Sequence, residues 1–462
     1  MRYWPLRRSS RKGHNVVEPA RPSLPEQANE EVIPGAVASL APADTEAPET
    51  GSLSSLPRVK AGFQASLVFA FFGTWLALLP ATQVTLALKV NQIDPAGKAA
   101  TLSLVLGVGS FIALVAQNVF GALSDRTTSR WGMRKPWLLA GMITGVASLF
   151  LLSSAGSVVV LVFAWGATQL TFNILLAGLN PVIPDQVPRR QLGRVSGWVG
   201  ITQSLAAVGG AYLAQLFLPN LTMAILLPGV LVVVSIVILL FVLRDRTVRK
   251  EELPTFNLLL FVKAFWTSPR KAPDFALAWW SRFLVTFGNV TLASYQVFFL
   301  LDRFGFTPAN IGTAVLTTTI VLTVTTVVTS VVVGAISDKL QRRKLFVLIS
   351  AVIIAVAHIL AAVAPSFGVF VIAIGIAGLA NGVYLAVDQA LIAEVLPSRK
   401  NVAKDMGVLH LANVLPQTLV PVLAPLFLAI GAGGDNYPAL FIGGAIVGII
   451  GAVINQFIKS VR

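Results

Sequence analysis

The stretch Gly121-Ala122-Leu123-Ser124-Asp125-Arg126 decides the architecture of this chain, because it occurs twice. The second copy, Gly334-Ala335-Ile336-Ser337-Asp338-Lys339, lies 213 residues further on, and each copy ends a long apolar segment and begins a basic loop. The same offset relates Gln83 to Gln296 and Pro95 to Pro308. A motif that occurs twice at a fixed offset in an apolar chain predicts two structurally related halves.

The composition indicates a membrane protein. Apolar residues make up 55% of the chain and charged residues only 12%, whereas soluble domains carry about 25% charged residues. Twelve segments reach the roughly 20 apolar residues that cross a bilayer, so we predict an all-α integral membrane fold with twelve transmembrane helices in two pseudo-symmetric six-helix bundles. The predicted spans 1 to 12 cover residues 63–88, 99–121, 137–155, 157–181, 195–218, 221–243, 275–301, 309–333, 345–364, 367–392, 405–430 and 437–458.

The net charge of +15 is explained by topology. With both termini inside the cell, 31 of the 35 Lys and Arg residues face the cytoplasm, which is the positive-inside pattern for an even number of spans. We therefore expect a multi-pass protein of the plasma (bacterial inner) membrane with both termini cytoplasmic. The basic residues are expected to contact anionic lipid and not nucleic acid.

Two segments outside the spans are distinctive. Residues 1–60 start with basic residues and continue rich in Pro, Ala and Glu without apolar periodicity, which predicts a disordered cytoplasmic tail. Residues 244–274 form the longest internal break and contain a short amphipathic piece between two prolines, which predicts a cytoplasmic linker with an interfacial helix. The remaining domains are then an N-terminal bundle at 61–243 and a C-terminal bundle at 275–462.

The loop after the first copy of the repeat carries a family signature. It reads Gly121-Ala122-Leu123-Ser124-Asp125-Arg126-Thr127-Thr128-Ser129-Arg130-Trp131-Gly132-Met133-Arg134-Lys135-Pro136. This loop resembles the one between spans 2 and 3 of the major facilitator superfamily. Its expanded form is similar to that of the glycoside–pentoside–hexuronide cation symporters and the related sucrose transporters. The resemblance covers residues 60–460 and implies a carrier whose two bundles rock about a central site.

The resemblance also implies a gating role for charged residues at the helix ends, where charge-assisted bonds form and break as the halves move. Charges that merely anchor the loops are the alternative. A second pair of acidic segments, around Asp185 and Glu394, belongs to the same set. The gating candidates are Gly121, Asp125, Arg126, Arg130, Arg134, Asp185 and Arg194 in the first half, and Gly334, Asp338, Lys339, Arg342, Arg343 and Glu394 in the second.

Two strong charges lie well within predicted spans, Arg282 in span 7 and Asp388 in span 10. Each costs about 3 kcal/mol to insert, and their similar depth predicts that they pair. Spans 1 and 2 contain no acid, which disfavours the carboxylate sodium site of the sodium-coupled symporters that the chain resembles. Arg282, Asp388 and His410 are the proton-coupling candidates. The alternatives are a structural ion pair or a snorkelling Arg282 and, for His410, a solvated histidine near the start of its helix.

Polar residues at membrane depth in spans 1, 4, 5, 7, 10 and 11 are the substrate-lining candidates, because those spans line the cavity in the fold that the chain resembles. Amide side chains both donate and accept, which suits hydroxyl-rich solutes, although they also bond across helices. His358 in span 9 is expected to be structural, since spans 3, 6, 9 and 12 are outer supports in that fold. The candidates are Trp75, Gln83, Asn173, Gln203, Asn289, Tyr295, Gln296, Asn381, Tyr384, Asn413 and Gln417.

Together these features predict a secondary active transporter that imports a sugar or glycoside with a proton. A drug or metabolite exporter of the same fold and a non-transporting membrane receptor are the alternatives. An enzyme is disfavoured, because the sequence has no phosphate-binding loop, no metal-spaced histidine cluster and no nucleophile elbow. The chain also has no cysteine, which excludes disulfides and thiolate metal sites. We expect no cofactor and no metal, and a monomer whose partners are the solute, a proton and the lipid bilayer.

Overall fold

The computed structural model describes residues 58–218, 220–248, 268–270, 272–340, 342–395, 402–431 and 436–459. Within these ranges the side chains at positions 189, 338, 389, 390, 392–394, 402–404 and 406 are not described. The predicted tail and most of the predicted linker lie outside the described residues, so their boundaries stay predictions.

Each predicted span corresponds to a long helix, and no described residue forms a strand. In the described part of the chain, eleven helices are long and apolar enough to cross a membrane. The remaining long helix, that of span 5, has 29 residues, but its mean hydropathy does not reach that of the other eleven. Spans 1 to 12 are Ala61–Ile93, Lys98–Asp125, Lys135–Ser154, Val158–Gln186, Arg189–Phe217, Leu221–Val242, Pro273–Phe304, Ile311–Leu340, Arg343–Val363, Phe367–Val395, Val402–Leu428 and Tyr437–Gln456.

The two halves pack their helices in the same pattern. In the first half, span 1 packs against spans 5 and 6, span 4 against spans 2 and 3, and span 3 against span 6. In the second half, span 7 packs against spans 11 and 12, span 10 against spans 8 and 9, and span 9 against span 12. Contacts between the halves follow the same symmetry, because span 2 packs on span 11 and span 5 on span 8. The predicted pair of pseudo-symmetric six-helix bundles is confirmed.

Span 1 is irregular near the middle of the bundle. Its first helix ends at Pro80, which lacks a backbone donor, and Ala81–Thr85 wind as one π-helical turn before Leu86–Ile93 continues the span. A Cβ on Gly210 of span 5 would lie 2.0 Å from Cγ of Pro80, so glycine is needed where the two helices meet. Turns of this kind are frequent at functional sites, and this one carries Gln83.

The two ends of the bundle are distinguished by the repeated motif. We call the end that holds both copies the motif end and the other the opposite end. Side-chain contacts join the two halves at the opposite end, where span 2 approaches span 7 and span 5 approaches span 8. They are an ion pair between Lys98 and Asp302 at 2.5 Å, a hydrogen bond between the hydroxyls of Ser103 and Tyr295 at 2.7 Å, and a bond from Gln215 Nε2 to Thr313 Oγ1 at 3.1 Å.

Candidate functional site

A cavity of about 240 Å³ lies between the two halves. Spans 1 and 5 contribute one residue each, and spans 7 to 10 form the rest of the wall. Among the described residues that line it there is no carboxylate, lysine or arginine. Its polar side chains are four of the predicted lining residues, Gln83, Asn289, Gln296 and Asn381, together with Thr318, Thr319, Thr323 and His358.

Two amides meet at one wall of this cavity. Asn289 Nδ2 on span 7 donates to Asn381 Oδ1 on span 10 at 3.1 Å. Asn289 Oδ1 is buried and has no hydrogen-bond partner within the structure. Leaving a buried acceptor unsatisfied costs about 1–3 kcal/mol. Because Asn289 also lines the cavity, a donor group of a solute bound there is suited to satisfy this acceptor.

The two glutamines that the repeat relates both reach the cavity. Gln83 lies on the π-helical turn of span 1, and Gln296 lies on span 7 at the equivalent position of the second half. Each is half-buried. The cavity is therefore lined by equivalent residues of both halves, which is the arrangement expected of a site that opens when the halves move.

Arg282 and Asp388 form an ion pair inside the second half, as their matched depths predict. Arg282 Nη1 lies 3.1 Å from Asp388 Oδ2, and the side chains are 12% and 6% exposed. Arg282 Nε also donates to Asn413 Oδ1 on span 11 at 2.7 Å. Tyr384, one turn before Asp388, hydrogen-bonds to the carboxylate. This buried network ties spans 7, 10 and 11 together.

Two further candidates on span 11 lie near this network. His410 has an exposed side chain and lies within electrostatic range of Arg282. Gln417 is also exposed and donates from Nε2 to the backbone oxygen of Asn413 at 3.3 Å. Neither lines the 240 Å³ cavity, so proton coupling by His410 and solute contact by Gln417 stay predictions.

Several other predicted lining residues lie outside the cavity. Tyr295 is fully buried and its hydroxyl contacts Ser103 of the first half, so it joins the halves. Asn173 Nδ2 donates to the backbone oxygen of Gln169 on its own helix at 2.7 Å. Gln203 is exposed and Trp75 packs against the apolar core. Solute contact by these residues, and by Tyr384 and Asn413 of the buried network, stays a prediction.

The structure differs from the expectation that span 9 only supports the bundle from outside. Ile354 and His358 of this span line the cavity, and His358 is 1% exposed. At this point span 9 contacts span 7, because His358 Nε2 lies 3.1 Å from the backbone oxygen of Gly288. The sequence signal was the histidine itself, a polar residue within an otherwise apolar span.

Arg134 is the centre of the motif in the first half. Its Nη1 lies 2.7 Å from Asp125 Oδ1 and donates to Ser124 Oγ at 2.9 Å, and its Nε lies 2.9 Å from Asp185 Oδ2. Burial by itself would lower the pKa of Arg134, but attraction by Asp185 and Asp125 outweighs it, and the pKa is raised. The guanidinium therefore stays charged and joins the ends of spans 2, 3 and 4.

Asp245, just after span 6, completes this cluster and was missed by the sequence analysis. Its Oδ2 accepts from the backbone nitrogens of Arg134 at 2.6 Å and Lys135 at 2.8 Å, which suits an acid at a helix N-terminus. Gly132 has φ +107°, and a Cβ there would lie 2.3 Å from Asp245 Cγ. The available signal was the triplet Arg244-Asp245-Arg246, which we had assigned to the linker.

The other gating candidates are more scattered. The side chains of Asp338 and Glu394 lie outside the described residues, so the acids of the second motif stay predictions. Arg126 and Arg343 each have an interaction partner in the structure. Gly121 and Gly334 are half-buried. Exposed side chains are found at Arg130, Arg194, Lys339 and Arg342.

Comparisons with known proteins agree with this architecture. The family model for the Major Facilitator Superfamily matches residues 62–322 and, again, residues 282–461. The chain is 49% identical over 51 residues to an uncharacterized symporter of Synechocystis sp. and 25% identical over 130 residues to the general alpha-glucoside permease of Schizosaccharomyces pombe. These matches cover 11% and 25% of this chain, and only 9% and 24% of the lengths of the two relatives.

Solved structures show the same fold. The nucleoside transporter NupG matches with a TM-score of 0.66 at 14% identity, over 87% of this chain and 100% of that chain. A bacterial homologue of the human lysosomal transporter Spinster, in an inward-facing and unoccupied conformation, matches with a TM-score of 0.65 at 14% identity, over 86% and 95%. From the family match, the helix packing and these structures, the chain belongs to the Major Facilitator Superfamily, a family of membrane transporters for small-molecule solutes.

Proposed function

We propose that this transporter imports a sugar or glycoside together with a proton by alternating access. The observation that carries the proposal is Asn289, which lines this cavity between the halves and whose buried Oδ1 has no hydrogen-bond partner in the structure. Amides accept from and donate to hydroxyl groups, so such a wall suits a polyhydroxylated solute. The relatives named as a symporter and as an alpha-glucoside permease point the same way.

The size of the cavity supports a small solute over a drug. Pockets for drug-sized ligands measure about 300–1,000 Å³, whereas this cavity measures about 240 Å³, and half of its sixteen lining residues are polar. A single sugar ring has the right chemistry for this space. A larger glycoside would need the halves to separate further.

The buried network of the second half supports proton coupling. When Asp388 is ionised it holds Arg282, which Asn413 also positions. A proton on Asp388 removes the negative charge and leaves the arginine without its ionic partner in a dry environment, which is costly. The arginine must then find other partners, so the proton favours a different arrangement of spans 7, 10 and 11.

The side-chain contacts between the halves support one state of the transport cycle, in which the opposite end is closed. The Lys98–Asp302 and Ser103–Tyr295 contacts close the opposite end. The positive-inside pattern assigns the motif end to the cytoplasm, so the opposite end faces outward. In this arrangement the outward path is closed, and opening it requires these contacts to break.

Uptake into proteoliposomes tests the proposal. We expect one or more labelled monosaccharides or disaccharides to accumulate only when an inward proton gradient is imposed. Asn289→Leu, which removes the free acceptor, should reduce accumulation at least tenfold. The matched control is Asn118→Ala, because Asn118 bonds only to the Leu114 oxygen of its own helix and lies outside the cavity.

Two results would replace the proposal. Proton-driven efflux of apolar cations, with no sugar uptake, would favour the drug exporter. Sugar binding without movement across the membrane would favour the receptor. Uptake that is driven by sodium alone would support a sugar as the solute and exclude the proton as the coupling ion.

A further inference from the structure

His358 occupies a place that a purely structural histidine does not need. It lies in the wall of the 240 Å³ cavity beside Asn289 and Asn381 and is 1% exposed. Among the described residues that line the cavity, it is the one side chain whose charge changes near neutral pH.

Both ring nitrogens of His358 face backbone carbonyl oxygens. Nδ1 lies 2.8 Å from the oxygen of Ile354 on the same helix, and Nε2 lies 3.1 Å from the oxygen of Gly288 on span 7. A carbonyl only accepts, and a neutral imidazole has a single N–H. The neutral ring therefore satisfies one oxygen and sets a lone pair against the other, whereas the doubly protonated ring donates to both.

The contact on span 7 is held in place by close packing. A Cβ on Gly288 would lie 2.7 Å from the carbonyl oxygen of Gly444 on span 12, so spans 7 and 12 touch at this point. The Thr291 hydroxyl donates to the same Gly288 oxygen at 2.6 Å. Gly288 directly precedes Asn289, so any shift of Gly288 relative to span 9 also moves the free acceptor in the cavity wall.

No other charge of the described residues lies against the ring. On span 7 the nearest ionisable group is Arg282, six residues or about 9 Å along the helix from Gly288. The two carbonyl oxygens are therefore the groups that compensate a charge on His358. The other described ionisable groups on the packed elements are Asp274, Tyr295, Asp302 and Arg303 on span 7, Tyr384 and Asp388 on span 10, Tyr437 at the start of span 12, Lys339 at the end of span 8, and Arg343 and Lys344 at the start of span 9.

We propose that His358 is a proton-binding site, separate from the Arg282–Asp388 pair, and that the doubly protonated ring holds Gly288 to span 9. Loss of the proton from Nε2 sets a lone pair against the Gly288 oxygen, which weakens the contact between spans 7 and 9. Proton binding at His358 is thereby linked to the position of Asn289. Only the consequence for solute uptake rests on the proposed function.

Proton binding is tested directly by nitrogen-15 NMR of histidine-labelled protein in lipid nanodiscs, without any solute. The chain has three histidines, so the His358 signals are assigned with the His14→Gln and His410→Gln variants, by elimination. We expect His358 to show two protonated ring nitrogens in the lower part of the range from about pH 5 to pH 8, where histidine changes charge, and one in the upper part. A ring that stays neutral throughout overturns the proposal, whatever the protein transports.

The link to the cavity is tested with His358→Gln. Glutamine donates through its amide but cannot take up a proton in this pH range. For any solute that the wild type accumulates, we expect the variant to retain solute exchange when the pH is equal on both sides of the membrane. The factor by which a pH gradient stimulates uptake should fall at least tenfold. If it keeps the full stimulation, the proposed link is wrong. If no solute is found, the proposed function fails and the NMR result still decides whether His358 binds a proton.

Discussion

The two halves of this transporter share one packing scheme but place their charges at different depths. In the first half, Arg134 joins Asp125 and Asp185 at the motif end, where the helices leave the apolar region. In the second half, Arg282 and Asp388 pair within the spans. The residue that stands 213 positions before Arg282 is Phe69, in span 1. The repeat thus preserves the helix positions, while among the described residues the ion pair that lies well within the spans belongs to the second half.

This difference assigns separate tasks to the halves. The cluster at the helix ends of the first half ties neighbouring helices together, and its arginine stays charged at ordinary pH because the pKa of Arg134 is raised. A carboxylate inside the membrane, next to an arginine and a tyrosine, changes charge at a far greater energetic cost. We infer that the first half acts mainly as a framework and that proton-dependent movement begins in the second.

The largest expected effect is at Asp388. Asp388→Asn keeps the size of the side chain and removes its charge, so Arg282 stays buried without its ionic partner. We expect a loss of about 3–5 kcal/mol in stability and the loss of proton-driven accumulation. Thermal unfolding of the purified protein and proteoliposome uptake measure the two effects.

The double variant Arg282→Gln/Asp388→Asn is the control for this effect. With both charges of this pair removed, most of the lost stability should return, while proton-driven accumulation should stay absent. A double variant as unstable as the single one would show that the lost ion pair is not the cause. Unchanged proton-driven accumulation in Asp388→Asn would rule out its coupling role.

The next effect in size is at Arg134 in the first half. Arg134→Ala leaves Asp125 and Asp185 without their shared partner, but these acids are 25% and 41% exposed and can be solvated. We therefore expect a smaller loss of stability, about 2–3 kcal/mol. Arg130→Ala, an exposed arginine of the same loop, should change stability by no more than about 0.5 kcal/mol. Equal losses in the two variants would contradict a special role for Arg134.

A still smaller effect is expected at Asp245, which accepts from the first backbone nitrogens of span 3. Removing a helix cap typically costs about 1 kcal/mol, so Asp245→Ala should lower stability by about that amount. Asp245→Asn should lose less, because its amide oxygen still accepts. Hydrogen exchange at the Arg134 and Lys135 amides measures the effect locally. Exchange that does not rise in Asp245→Ala would mean that another group caps the helix.

Much of this could be predicted from the sequence, because the repeat and the apolar segments are long signals. Twelve spans, two equivalent bundles and the pairing of Arg282 with Asp388 all follow from segment length and depth, which tolerate errors of a few residues. The repeat also related Gln83 to Gln296, and both line the cavity. Such features depend on the position of a residue along its helix and not on the rotation of the helix about its axis.

The remainder depends on helix rotation and on tertiary contacts. Each residue turns a helix by about 100°, so a small error in a boundary sends a polar side chain to another face. This is why Tyr295 contacts Ser103 and why Asn173 bonds to its own helix. Three arginines of one loop, Arg126, Arg130 and Arg134, cannot be ranked by spacing, so the sequence does not show that Arg134 holds the two acids. Asp245 was hidden because its partner helix begins 110 residues earlier in the chain.

The smallest effect on stability is expected where the two halves meet, at Lys98 and Asp302. This pair is partly exposed, at 13% and 35%, and such pairs contribute about 0–1 kcal/mol. Lys98→Gln should therefore hardly change the unfolding temperature. It should nevertheless shift the balance between closed and open states of the opposite end, because a difference of about 1 kcal/mol changes a two-state ratio about fivefold.

Distances between spin labels at the opposite end measure this shift. The chain has no cysteine, so labels can be attached through Ala96→Cys and Ala309→Cys, exposed and repeat-related positions in the two halves. We expect Lys98→Gln to add a longer distance to the distribution. Arg303→Gln, which removes an exposed positive charge at the same end, should leave it unchanged. An unaltered distribution in Lys98→Gln would mean that packing of span 2 on span 11 and of span 5 on span 8 closes this end without the ion pair.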